Sequence, residues 1–181
     1  MSTLATVLLA WAAVYAYLCA YHVTLYWRRR SEREYLAFGL LTGGFAIIAV
    51  SNALHVDATS FAESSFALRI GSVGLSVAAA FYVDFAGELT GRRSNLRGFA
   101  YAWAVVGLAL EVAGLGIDTA PESPTWRWGG LHAPSPRTTI FGQIHVAVLW
   151  ATTSIATYPL VRQLRAPALL SELSPAPARL L

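Results

Sequence analysis

Long apolar runs separated by short polar connectors make up most of the chain. Five runs are long enough to cross a bilayer, and they cover residues 3–27, 35–56, 66–89, 98–117 and 139–161. Crossing the hydrocarbon core takes about 20 predominantly apolar residues. The connectors carry the glycine, proline, serine and charged residues that end helices. The pattern predicts an all-α polytopic bundle: a five-helix transmembrane domain over residues 1–165 and a short proline-containing tail over 166–181.

Small and acidic residues recur at helical spacing within the third run. One stripe steps by four residues and consists of Ser72, Ser76, Ala80, Asp84 and Glu88. Residues four apart lie on one helix face, and small side chains there let a neighbouring helix approach closely. We expect the two acids to lie at the membrane edge and to pair with Arg92 and Arg93.

The second and fourth runs carry similar stripes. Gly39 and Gly43 have the GxxxG spacing that is typical of close helix packing. On the fourth run, Gly107, Glu111 and Gly114 fall on one face, which continues to Asp118. Both faces are therefore predicted to point into the bundle.

Polar residues near one end of the bundle form the candidate signal pocket, because polar groups inside a bilayer are costly and often functional. Glu111 is its predicted acidic anchor and His145 its titrating partner, at matched depth and within hydrogen-bonding reach. An alternative interpretation makes Glu111 a structural residue that hydrogen-bonds between helices. The complete candidate set is Asn52, His55, Glu111, Gln143 and His145.

Composition supports a membrane protein and excludes several chemistries. The chain is 56% hydrophobic and 13% charged, with a mean hydropathy of +0.51. All 13 basic residues are arginine, so a Schiff-base lysine and a phosphate-loop lysine are excluded. A single cysteine, Cys19, excludes an internal disulfide and an iron–sulfur cluster. We predict no cofactor, no metal and no nucleic-acid partner.

Arginine placement predicts the orientation. An N-terminus outside and a cytoplasmic C-terminus satisfy the positive-inside rule. Three arginines, at positions 69, 127 and 137, then lie outside. The other arginines lie inside, at positions 28, 29, 30, 33, 92, 93, 97, 162, 165 and 179.

Two segments resemble a known class of membrane region. They read YHVTLYWRRRSEREYLAFGLLTGGFAIIAVSNAL and FALRIGSVGLSVAAAFYVDFAGELTG. The basic cluster, the tyrosine-led second helix and the acidic end of the third helix are similar to the N-terminal multi-span region of bacterial sensor histidine kinases. The resemblance implies a sensory input module that detects an external or membrane-borne signal and relays helix movement inward. It also implies a bacterial inner membrane as the expected location, and it carries over no catalytic residue.

The chain departs from that class, because such regions usually have seven spans and precede a cytoplasmic kinase or cyclase domain. A fragment, a degenerate remnant and a stand-alone sensor all stay open. For a stand-alone sensor, the expected partners besides the lipid bilayer are a cytoplasmic signalling protein or a second copy of the chain. We expect no intrinsic catalysis, since no nucleophile, base and orienting group are grouped in the sequence.

Two other functions are compatible with the helix count. A b-type haem subunit needs two histidines at matched depth on facing helices, and the best pair is His55 and His145. Their predicted depths differ by roughly 7 to 9 Å, which disfavours a shared haem plane. A small membrane carrier is the other alternative, although the first four runs contain no proline-interrupted half-helix.

Overall fold

The protein is a helical bundle with one short hairpin. The computed structural model describes residues 1–91, 95–117, 125–128, 131–134 and 136–165, with the hairpin strands and residues 164–165 described by their backbone alone. The elements in chain order are α1 (Thr3–Arg28), α2 (Arg33–Val56), α3 (Phe61–Thr90), α4 (Asn95–Val112), β1 (Thr125–Trp128), β2 (Leu131–Pro134) and α5 (Ile140–Arg165). The predicted helical architecture is confirmed.

Four helices in the described part of the chain, α1, α2, α3 and α5, are long and apolar enough to cross a membrane. The α4 helix has 18 residues and is about 27 Å long, slightly less than a hydrocarbon core of about 30 Å. Four candidate spans are therefore established, as expected of a membrane protein. The fifth span and the orientation of the termini stay predictions.

Local sequence explains where two helices depart from their predicted bounds. The α3 helix begins at Phe61, before the predicted residue 66, because Ser60 and Glu63 form a reciprocal capping box. The α4 helix ends at Val112 rather than at residue 117. Gly114 has a φ of 70°, a left-handed conformation that glycine adopts readily and that terminates helices.

The α3 helix is the centre of the bundle. It packs against α2, α4 and α5, whereas α1 packs on α2. The predicted close approach at the GxxxG pair is confirmed, because a Cβ atom on Gly43 would lie 3.2 Å from Cys19 Sγ of α1. On the opposite side of α2, a Cβ atom on Gly44 would lie 2.7 Å from the Ala78 nitrogen of α3.

The long connector before α5 contains an antiparallel hairpin that the sequence pattern did not predict. Thr125 pairs with Pro134 and Trp128 with Leu131. The β2 strand lies against α2 and α3, and a bridge between Ile117 and Thr138 brings the two ends of the connector together. We call this end of the bundle the hairpin end. Asp118, Arg92, Arg93 and the predicted tail over 166–181 lie outside the described residues.

Candidate functional site

His145 lies deep in the interface of three helices near the hairpin end. Its side chain is 2% exposed, and its Nε2 atom lies 2.9 Å from Ser76 Oγ of α3. The imidazole stacks on the Trp103 indole of α4, with ring centroids 5.8 Å apart and planes 19° apart. The Trp103 indole N–H also donates to the His145 backbone carbonyl, at 3.3 Å. Side chains from α3 and α4 thus fix the ring of a residue on α5.

Gly107 makes room for this ring. A Cβ atom at this position would collide with His145 Cε1 and Nε2, and it would lie 2.7 Å from Ser76 Oγ. Interiors are packed too tightly to absorb such an overlap without movement. The glycine is therefore a requirement of the imidazole site, consistent with its predicted place on the interior face of α4.

Glu111 lies one helical turn from Gly107 and is 9% exposed. Its carboxylate interacts with the Ser72 side chain and with the Arg69 guanidinium, both on α3. Gly116, in the turn after α4, packs directly against Glu111 Oε1, where a Cβ atom would not fit. A buried acid thus lies within the electrostatic influence of Arg69, beside the turn that leads to the hairpin.

A hydrogen-bonded segment of α3 connects the histidine and the glutamate. Ser76 Oγ donates to the Ser72 carbonyl at 3.0 Å, so its own oxygen is free to accept from His145 Nε2–H. This pattern belongs to a neutral imidazole with its proton on Nε2. His145 Nδ1 is then a buried lone pair without a hydrogen-bond partner among the described residues. We call Arg69, Ser72, Ser76, Glu111 and His145 the His145 cluster.

The predicted direct hydrogen bond between Glu111 and His145 is wrong. His145 packs at Gly107, about 6 Å along α4 from Glu111, and it bonds to Ser76 instead. The depth estimate failed because it counted from residue 117, whereas the helix ends at Val112. The basic group that interacts with Glu111 is Arg69.

The other three predicted pocket residues lie elsewhere. Asn52 is exposed. Gln143 is also exposed, and its Nε2 donates to the Thr138 carbonyl at 3.2 Å. His55 lies in the last turn of α2, where its Nδ1 is 2.8 Å from Ser64 Oγ. The structure therefore brings together only Glu111 and His145 of the predicted set.

Sequence reasoning missed Arg69 and Trp103 as members of the site, and it assigned Ser72 and Ser76 only to packing. The sequence spacing could have identified Arg69, because positions 69, 72 and 76 follow the i, i+3, i+7 spacing of one helix face. The aromatic stack on His145 had no comparable signal. The stacking of Trp103 on His145 depends on how α4 and α5 pack against each other. The periodicity of a single helix does not give that relative placement.

A second polar cluster lies at the other end of the α3–α4 interface. Arg97 Nε is 2.8 Å from Asp84 Oδ1, and Arg97 Nη1 is 3.3 Å from Glu88 Oε1. The Tyr101 hydroxyl donates to Asp84 Oδ2 at 2.7 Å. Both acids are therefore ion-paired with Arg97, while their pairing with the two arginines after α3 stays a prediction. We call Asp84, Glu88, Arg97 and Tyr101 the Arg97 cluster.

Comparison of the chain with protein-family models, curated proteins and solved structures finds no match. Within the described residues, no group of three or more histidine, cysteine, aspartate and glutamate side chains is placed to hold a metal ion.

The chemistry of the His145 cluster follows from its own atoms. It offers an imidazole nitrogen with an unused lone pair, an acid and two hydroxyl groups in series, which suits the uptake and relay of a proton.

Proposed function

We propose that the chain is a membrane-embedded sensory input module and that protonation within the His145 cluster is the event to which it responds. The observation that carries the proposal is the buried His145 ring, whose Nδ1 has no partner among the described residues and whose Nε2 is bonded to Ser76. Histidine is the side chain whose ordinary titration range lies near neutral pH.

Adding a proton to His145 changes the local balance of interactions. A second N–H appears on Nδ1, and the described residues around it offer no acceptor in the present arrangement. Besides His145, the ionisable groups of the cluster are Glu111 on α4 and Arg69 on α3. A buried charge without a hydrogen-bonded partner is costly, so protonation favours a rearrangement in which α5 shifts relative to α3 and α4.

Amide hydrogen exchange along α5, in protein reconstituted into lipid nanodiscs, tests this proposal. Protection factors, in which the intrinsic base-catalysed pH dependence of exchange is divided out, report local opening, and we expect those of α5 to change between about pH 8 and pH 5. The substitution His145→Gln keeps an N–H donor for Ser76 but removes the titration, so this variant should lose the pH response. A wild-type protein without pH dependence, or a pH response that persists in H145Q, would refute the proposal.

Two control variants use residues from outside the cluster. Asn52→Ala removes an exposed polar group, and His55→Gln removes a second titrating imidazole that bonds to Ser64. Both variants should keep the wild-type response. If His55→Gln alone abolishes the response, the sensory site lies at the end of α2 and the assignment to His145 is wrong.

Neither a haem subunit nor a carrier gains support from this geometry. His55 bonds to Ser64 at the end of α2, whereas His145 is enclosed by Trp103, Gly107 and Ser76. The two histidines are therefore engaged in separate sites. A responsive cluster within the helix interfaces requires only two alternative packings of the bundle, which is what a sensor needs.

A further inference from the structure

Different kinds of interaction hold together α3, α4 and α5, the three helices that meet at the His145 cluster. The α3–α4 pair is joined by charged groups, because Arg97 of α4 contacts both Asp84 and Glu88 of α3. Tyr101 adds a hydrogen bond to Asp84. Asp84 is largely buried, with 8% of its side chain exposed. Removing one partner of such a pair leaves an uncompensated charge, so this connection resists opening.

The α5 helix is attached by neutral hydrogen bonds. His145 bonds to Ser76 near the hairpin end, and Thr157 Oγ1 lies 2.6 Å from the Tyr82 hydroxyl nearer the other end. Trp103 donates to a backbone carbonyl of α5. In the described part of the chain, no ion pair joins α5 to another helix.

Open space flanks α5 on two sides. A cavity of about 320 Å³ lies between α5, α2 and α3, with Phe45, Leu75 and Trp150 in its lining. A second cavity of about 220 Å³ lies between α5, α3 and α4, beside Pro159. Both are open to the outside of the bundle, so side chains along them lack protein neighbours on one side. The α5 helix therefore has both weaker attachments and room to move.

The beginning of α5 is held by backbone contacts. The Thr139 N–H donates to the Gly116 carbonyl at 3.1 Å, and Gly142 packs directly on the same carbonyl group. These contacts tie the start of α5 to the turn after α4, beside Glu111. Beyond this point α5 is attached by apolar packing at Ala156 and by neutral hydrogen bonds. A helix that is fixed at its start moves most at its far end.

We infer that α5 is the output helix of the module, pivoting at Thr139–Gly142 while the ion-paired α3 and α4 move as one unit. The inference rests on the proposed function, since protonation of His145 places a buried charge with an unpartnered Nδ1–H in the interface of α5 with α3 and α4. The displacement grows toward Pro159 and Arg165. A signal at the hairpin end is thereby delivered to the opposite face of the membrane.

Pairs of spin labels test the inference in the full chain, with Cys19→Ser as the background. Leu89 of α3, Ala102 of α4 and Gln163 of α5 are exposed and suited to labelling. Acidification should change the Leu89–Gln163 distance by about 1 to 2 Å or more, as in known helix shifts. The Leu89–Ala102 distance should stay constant. Ser76→Ala should shift the Leu89–Gln163 distance without acid, because it removes one attachment of α5.

The possible outcomes separate the two proposals. Equal changes in both distances, or a change confined to the Leu89–Ala102 pair, would overturn the inference while leaving a pH response intact. No change in either distance, together with pH-independent exchange, would overturn the proposed function as well. Arg97→Gln provides the complementary variant, since loss of the ion pairs should make the Leu89–Ala102 distance respond to acid.

Discussion

Ser76 and His145 form a buried side-chain hydrogen bond between α3 and α5, with Ser76 Oγ 2.9 Å from His145 Nε2. The Ser76 hydroxyl also donates a hydrogen bond to the Ser72 carbonyl of the same helix. The Ser72 side chain in turn interacts with Glu111 of α4. The α3 segment from Ser72 to Ser76 therefore contacts both Glu111 and His145. Any energetic coupling between these two side chains is transmitted through this segment.

Space for the imidazole is the first testable feature. Gly107→Ala should destabilise the protein by about 1 to 3 kcal/mol, because the added Cβ would collide with His145 and Ser76. Thermal unfolding in detergent measures the change. Gly98→Ala is the matched control, since this glycine lies on the same helix and an added Cβ there would meet no atom within 4 Å. Equal stability of both variants would mean that the imidazole does not occupy this space.

The α2–α3 interface gives a second prediction. Gly44→Ala should lower the unfolding temperature, because its Cβ would lie within 2.9 Å of three Ala78 atoms, two of them in the backbone. Backbone atoms cannot rotate away, so the helices must separate and lose the packing that holds them together in lipid. An unchanged or higher unfolding temperature would show that the two helices do not approach this closely.

The Arg97 cluster gives a third prediction. Tyr101→Phe removes the hydroxyl that donates to the buried Asp84 carboxylate at 2.7 Å. We expect a loss of about 1 to 3 kcal/mol, the range for removing one hydrogen bond to a charged group. Tyr158→Phe is the control, since Tyr158 is 68% exposed. If both tyrosine variants unfold like the wild-type protein, the hydroxyl does not stabilise the α3–α4 interface.

The contact between the start of α1 and the end of α2 predicts a pH dependence of stability. The Ser2 hydroxyl and backbone N–H lower the pKa of Asp57 below its ordinary value of 3.8. Because the folded-state pKa is the lower one, this contact stabilises the fold above the ordinary value and is lost as the pH falls through the folded value. Unfolding temperature should therefore decline more steeply below about pH 4 in the wild-type protein than in Asp57→Asn. Parallel curves would show that the contact does not contribute.

Sequence periodicity predicted most of the fold, because apolar runs and the spacing of small residues determine where the helices lie and which faces they bury. The helices follow from long apolar runs, and the interior faces of α2 and α3 follow from small residues such as Gly43 and Ser76. The hairpin at Thr125–Pro134 was missed because its two short strands, within the long connector before α5, leave no helical periodicity. The end of α4 was misplaced because glycine's left-handed conformation at Gly114 is not evident from hydropathy.

The candidate site was only partly predictable. Glu111 and His145 stand out as ionisable residues in apolar runs, and both proved to be buried. Asn52 and Gln143 are also polar and lie at a similar predicted depth, yet the structure leaves both exposed. Depth along a helix can be counted from sequence, whereas the direction of a side chain around the bundle depends on how the helices pack. The electrostatic interaction of Glu111 with Arg69 depends on that packing.

The protonation state of His145, followed in the same samples as the position of α5, tests the central claim most directly. Nitrogen-15 NMR of histidine-labelled protein in lipid distinguishes the two tautomers and the imidazolium. We predict a neutral ring with its proton on Nε2 at about pH 8. On acidification, a second N–H should appear on Nδ1 over the same pH range in which the Leu89–Gln163 distance changes. A ring that stays neutral while α5 moves, or a ring that is protonated while α5 stays in place, would contradict the account.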